Sequence, residues 1–131
     1  MVRILVLCTH NSARSQMAEA FLRRYLGPDA EVRSAGTEPG TLHPLTRAVM
    51  AEVGCDLNGH TADPVEKYAG QSWDYVITVC DAAREKCPYL PARHHLHVSF
   101  PDPSQGGLET FRQVRDAIEA WARQFAQTLR S

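Results

Sequence analysis

The residues best placed to do chemistry are cysteines. Cys8 ends the apolar run Ile4-Leu5-Val6-Leu7, and Arg14 follows after the five residues Thr9-His10-Asn11-Ser12-Ala13. A loop that curls from a strand into a helix turns its backbone N–H groups inward and binds a tetrahedral oxyanion. Arg14 adds a planar, two-pronged donor matched to adjacent oxygens. The same field favours a thiolate at Cys8. Lowering a cysteine from about 8.5 to about 6.5 takes about 2.7 kcal/mol, within reach of a helix terminus and a cation acting together. Ser15, at the expected helix start, can donate a hydrogen bond to that sulfur. The loop has no glycine, and Asn11 is the residue best suited to a left-handed conformation there. This spacing marks an oxyanion site without saying which anion or which reaction.

A second pair, Cys80 and Cys87, frames the six residues Asp81-Ala82-Ala83-Arg84-Glu85-Lys86, with Pro88 and Pro91 beyond. If that stretch is helical, the two cysteines lie about two turns apart, roughly 10 Å. A disulfide needs Cα atoms closer than about 7 Å, so pairing requires the segment to buckle or unwind. The spacing is too wide for a structural zinc site. A buried-thiol reading suits Cys80 at a strand end and fits Cys87 poorly in a polar, proline-flanked stretch. A redox shuttle uses both. Cys55, after Gly54, reads as a small buried hydrophobe. His94, His95 and His97 alternate along a strand, but with no neighbouring carboxylate or cysteine in view they read as structural rather than metal-binding.

The elements that must position these groups alternate. Strands are expected from Val2 to Leu7, Glu31 to Ser34, Tyr75 to Val79 and Leu96 to Phe100. Helices are expected from Ser15 to Leu26, stopped by Gly27-Pro28, and from Pro44 to Val53, stopped by Gly54. A long amphipathic helix follows, with Leu108, Phe111, Val114, Ile118, Trp121 and Phe125 on one face. The fold class is therefore α/β: a three-layer arrangement with a four-stranded parallel sheet and helices on both faces, one domain over residues 1–131. In such sheets ligands bind beyond the carboxyl ends of the strands, where Cys8, Cys80 and Asp102 all fall.

Composition bounds the partners. The chain has 131 residues, a formal net charge of −1, 44% apolar and 22% charged residues, which gives no broad attraction to nucleic acid or anionic membranes. Its apolar runs are too short for a membrane span or a signal-peptide core, so a cytoplasmic, reducing location is expected. There, cysteines serve redox chemistry or burial rather than structural disulfides.

Three stretches together resemble one family: Cys8-Thr9-His10-Asn11-Ser12-Ala13-Arg14-Ser15-Gln16-Met17-Ala18-Glu19, Val79-Cys80 to Cys87-Pro88, and Phe100-Pro101-Asp102-Pro103. The sequence resembles the thioredoxin-coupled arsenate reductases, which are built on the low-molecular-weight tyrosine phosphatase fold. The resemblance implies that arsenate binds in the loop from Thr9 to Ser15 and that Cys8 attacks arsenic. Asp102 then protonates the leaving hydroxyl, Cys80 attacks Cys8, and Cys87 attacks Cys80, leaving a disulfide for thioredoxin to reduce. It further implies a monomer with weak phosphatase side activity and no required cofactor, although some members hold a potassium ion at positions matching Asn11, Glu19, Ser34 and Asp63. Ala13 stands where some relatives carry an extra loop cysteine. Two other functions fit part of the pattern. A low-molecular-weight phosphotyrosine phosphatase would use Cys8, Arg14 and Asp102, but Ser104-Gln105-Gly106 offers no aromatic platform beside the acid. An anion-binding redox sensor would use the thiols without turnover.

Overall fold

The computed structural model describes residues 1–81, 83 and 90–130. Strand β1 (Val2–Cys8) leads through the anion loop into helix α1 (Arg14–Leu26). A short 3-10 turn precedes β2 (Ala30–Gly36), followed by α2 (Pro44–Glu52), β3 (Trp73–Thr78), β4 (Ala92–His97) and α3 (Leu108–Arg130). The strands form one four-stranded parallel sheet in the order β2-β1-β3-β4. That order makes β1 and β3 the central pair, and Cys8 and Cys80 lie at or just past their carboxyl ends.

Burial on both faces explains the apolar run of β1. Ile4, Val6 and Cys8 point into a core shared with α1, α2 and α3, including Met17, Phe21, Met50, Phe111 and Ile118. Leu5 and Leu7 alternate to the other face, where Val65, Tyr68, Trp73 and Leu90 cover the sheet. Among the described residues that second layer is built from the 3-10 turn Val65–Tyr68 and the approach to β4. Phe21 and Phe111 are fully buried, so truncating either to alanine costs about 3–5 kcal/mol.

Most element ends shift by one or two residues from the sequence expectation, and two differences bear on the site. The fourth strand is Ala92–His97 rather than Leu96 to Phe100. It is an edge strand with no buried position, so hydrophobicity does not mark it, and its polar side chains suit an open sheet edge. The apolar tail continues as looser pairing, with Val98 N–H donating to Thr78 and Phe100 N–H to Val79. Helix α1 starts one residue earlier than expected, at Arg14, with Ala13 as its uncapped N-terminal neighbour.

Helices α2 and α3 are joined by ion pairs around Glu52. Arg112 Nη2 lies 2.7 Å from one carboxylate oxygen and Arg115 Nη1 lies 2.7 Å from the other. Arg115 Nη1 also donates to the Val49 carbonyl at 3.0 Å. Hydrogen bonding to Arg112 first, then to Arg115, brings the Glu52 carboxyl down to about 2 from 4.5. A carboxylate depressed on folding stabilises the fold above its unfolded value, and that contribution disappears as pH falls through the folded value. We therefore expect Glu52→Gln to melt below wild type at neutral pH, with the gap narrowing between pH 4.5 and about 2. Thermal melts across that range check it; a gap constant with pH would remove the ion pairs as the cause.

Candidate active site

The anion loop is held open by its carbonyls. Cys8 O accepts from Thr37 N–H at 3.2 Å, Thr9 O from Glu38 N–H at 2.8 Å and His10 O from Gly40 N–H at 3.0 Å. Asn11 O accepts from Gln16 Nε2 at 3.0 Å. Ser12 O accepts from His43 N–H and the Thr46 hydroxyl, each at 3.0 Å, and Ala13 O from Met17 N–H at 2.9 Å. A trans peptide sets N–H opposite C=O, so carbonyls bonded outward turn the N–H groups toward the hollow lined by Cys8, Ser12, Ala13 and Arg14. The glycine-free loop manages its turn at Asn11, whose φ is +51° as its residue type suggested.

Buried polar side chains brace that turn. Asn11 is fully buried; its Oδ1 accepts from the Ser15 hydroxyl at 2.6 Å and its Nδ2 donates to Ser34 O at 3.4 Å. Ser15 is thus a buttress of the loop, bonded to Asn11 rather than to the Cys8 sulfur. Gln16 Nε2 also donates to Thr61 O at 2.9 Å, and its Oε1 meets His60 Nδ1 at 3.0 Å. Gly36 is a residue that sequence reasoning passed over: a Cβ there would sit 2.6 Å from Thr9 O. Its position at the end of a short strand beside the loop was the available signal.

Arg14 leans over the loop, its Nη1 donating to Phe100 O at 3.0 Å and its Nη2 lying 3.9 Å from Asp102 Oδ2. Together with Thr9, His10 and Cys80 these residues line a cavity of about 420 Å³. A cavity of about 480 Å³ at the opposite ends of the strands, between Val2, Ala30, Tyr75 and His94, has no cysteine in its described lining. Burial pulls the Asp102 carboxyl up, but the N–H and hydroxyl of Ser104, then the charges of Arg14 and His10, outweigh it and leave the group below its usual value. His10 is itself anchored, with Nδ1 2.8 Å from Glu38 O.

Cys8 and Cys80 are both free thiols, buried in one core cluster at the ends of the neighbouring strands β1 and β3. Thr9 Oγ1 lies 3.3 Å from the Cys80 sulfur. The pair ionises as a unit. Its shared proton, aided by the Thr9 hydroxyl, the Ala83 backbone and Arg14 against the cost of burial, brings Cys80 down to about 5. The same hydrogen bond, followed by burial, pushes Cys8 up despite Arg14 and the Thr9 N–H. The negative charge expected on Cys8 thus belongs to the pair of thiols. Cys87, the third cysteine of the expected relay, lies outside the described residues. Cys55 is buried as expected.

The four positions matched to a potassium site are partly assembled. The Ser34 hydroxyl donates to Glu19 Oε1 at 2.5 Å, linking Asn11, Ser34 and Glu19, and Asp63 lines the same cavity as Glu19. Their oxygens suit a hard cation by type. The carboxylates, however, already face side-chain cations: Glu19 meets Arg23 at 2.8 Å and Asp63 meets Lys67 at 3.4 Å. The charge an ion would neutralise is met within the chain, so the set as it stands does not fit an added ion. Among the described residues no cluster of three or more His, Cys, Asp or Glu side chains could hold a metal.

A nucleophile cupped by inward N–H groups at the end of a central parallel strand belongs to the cysteine enzymes that attack tetrahedral oxyanions. The chain belongs to the low molecular weight phosphotyrosine protein phosphatase family, whose pattern matches residues 3–131, and within it groups with the arsenate reductases. It is 41% identical to the arsenate reductase of Shouchella clausii, over 95% of both chains. A solved arsenate reductase in the phosphate-binding state superposes with a TM-score of 0.85 at 32% identity, covering 98% of each chain. The thioredoxin-dependent arsenate reductase of Corynebacterium glutamicum superposes with a TM-score of 0.79 at 29% identity, over 99% of this chain and 62% of that one.

The paired thiols make a spectroscopic expectation. The ultraviolet thiolate band should appear with a midpoint below the ordinary thiol range, and Thr9→Val should move that midpoint upward by withdrawing a hydrogen-bond partner from the Cys80 sulfur. A wild-type midpoint in the ordinary thiol range of about 8.5 would contradict the shared proton.

Proposed function

We propose that this chain reduces arsenate to arsenite, with Cys8 as nucleophile, Arg14 and the loop from Thr9 to Ser15 as the oxyanion clamp, and Cys80 and Cys87 as the relay to thioredoxin. The observation that carries the reading is the burial of Cys8 and Cys80 together at the ends of the paired strands β1 and β3, with Thr9 Oγ1 3.3 Å from the Cys80 sulfur. Hydrolysis of a phosphoenzyme needs a water beside Cys8, not a second thiol. Reduction needs that thiol within reach of the first.

The chemistry follows in order. Arsenate sits on the inward N–H groups and Arg14, and the Cys8 sulfur bonds to arsenic as its proton passes to the Asp102 carboxylate, which lines the same hollow. Asp102, ionised beside Arg14 in the resting site, takes up a proton before it can protonate the departing hydroxyl, which leaves as water. The Cys80 thiolate then attacks the Cys8 sulfur. A sulfur–sulfur bond forms, the sulfur–arsenic bond breaks, and its electron pair stays on arsenic, which departs as arsenite. Cys87 attacks Cys80, and the resulting disulfide passes its oxidation to thioredoxin. Neither a cofactor nor potassium takes part, since Arg23 and Lys67 already serve the carboxylates of the proposed ion site. We read the protein as a single-domain cytoplasmic monomer; among the described residues no helix is long and apolar enough to cross a membrane.

NADPH consumption with thioredoxin, thioredoxin reductase and arsenate tests the reading directly. Wild type should turn over continuously, whereas Cys87→Ser should release a single equivalent of arsenite and stop. Sustained turnover by the variant would sink the relay. Brisk aryl phosphate hydrolysis with no arsenite would favour the phosphatase function. Activity and melting temperature should be the same in sodium and potassium buffers, and a potassium-specific gain would restore the ion at Glu19 and Asp63.

A further inference from the structure

One histidine grips both sides of Cys80. His97 closes β4 opposite Thr78, the last residue of β3, in the parallel register. Its Nδ1 lies 2.7 Å from Thr78 Oγ1 and its Nε2 lies 2.8 Å from Asp81 Oδ1. Thr78 precedes Cys80 by two positions and Asp81 follows it directly, so a single ring spans the backbone that carries the thiol. The carboxylate accepts only, so Nε2 donates to it, while Nδ1 meets the Thr78 hydroxyl, which also lies 3.4 Å from Leu96 O. The ring is largely covered while Asp81 is exposed. Val79, between the gripped residues, is pinned separately by its N–H to Leu7 O at 2.9 Å.

We propose that His97 is the positioning residue for Cys80: by clamping Thr78 and Asp81 it keeps the Cys80 sulfur against Cys8 and Thr9 for attack. This deepens the relay reading and rests on it. The step it serves is the formation of the Cys8–Cys80 bond. That bond requires the sulfurs to close to about 2.0 Å in a narrow torsional range, so the placement of the Cys80 backbone sets how often the geometry is met. Oxyanion binding depends on the N–H groups of the loop and on Arg14, which His97 does not touch in the contacts described; Asp81 lines the same cavity but offers an oxyanion no donor, so phosphate affinity reports the loop rather than the clamp. The histidine trio along β4 therefore divides by position. His97 has a carboxylate and a hydroxyl at hand, while His95 Nε2 meets Leu90 O at 2.8 Å and His94 stacks on Tyr75.

The test is the rate of Cys8–Cys80 disulfide formation in a Cys87→Ser background, driven in one arm by arsenate and in the other by the thiol oxidant diamide. His97→Phe should slow both arms on the order of tenfold while affinity for inorganic phosphate stays unchanged. His97→Gln, which keeps an N–H donor, should lose less. Thr78→Val should slow the step in the same direction, and combining it with His97→Phe should add nothing, because both break one clamp. Unchanged rates in His97→Phe, parallel loss of phosphate affinity, or full additivity with Thr78→Val would each overturn the proposal. Should the parent form its disulfide with diamide and not with arsenate, the arsenate reading fails, and the diamide arm still decides the clamp.

Discussion

Every carbonyl from Cys8 to Ala13 is bonded away from the anion loop, and the rest of the site depends on that outward pull. Backbone N–H groups attract an oxyanion only if their peptides are held in one orientation, since a free loop would turn some of them to water. Here the orientation is set by the chain after β2, whose N–H groups at Thr37, Glu38, Gly40 and His43 meet the loop in succession. Gly36 lets that chain approach closely enough, and Gln16 and Asn11 hold the remaining turn from within. The field at Cys8 is thus made by parts of the sequence remote from it.

A nucleophile in such a field is normally the group that carries the charge. In this chain the charge is divided with Cys80, and burial, Arg14 and Thr9 act on both sulfurs at once. Two thiols sharing one proton suit sequential use: once Cys8 has attacked and the proton has passed to Asp102, Cys80 is left as the next nucleophile. Asp102, kept ionised by Ser104 and Arg14, fits a site that moves protons among its own groups.

Much of this was legible from the sequence. The buried run before Cys8, the arginine five residues beyond the loop's start and the helix that follows mark the oxyanion site, and the alternation of strands and helices places Cys80 and Asp102 at the same sheet edge. What escaped had physical causes. Strand β4 lies at an edge and is polar, so its pairing with β3 leaves no hydrophobic trace. Ser15 bonds to Asn11 because the left-handed turn buries that side chain four residues back, beside the start of α1, a placement no sequence pattern marks. The partners of Glu19 and Asp63 are four residues away along the chain, a helical spacing readable in principle and overlooked because the acids were considered without their bases. His97 looked solitary since Asp81 meets it across strands, a proximity that only the β3–β4 register creates.

The order β2-β1-β3-β4 has a consequence for how such catalysts diversify. With β1 and β3 side by side, whatever residue occupies the second position past β3 stands next to the nucleophile. A single exchange there, to or from cysteine, alters which electrons are within reach while leaving the cradle, its arginine and its acid in place. The scaffold thereby separates recognition of an oxyanion from the fate of the covalent adduct, and lets inheritance vary the second without rebuilding the first.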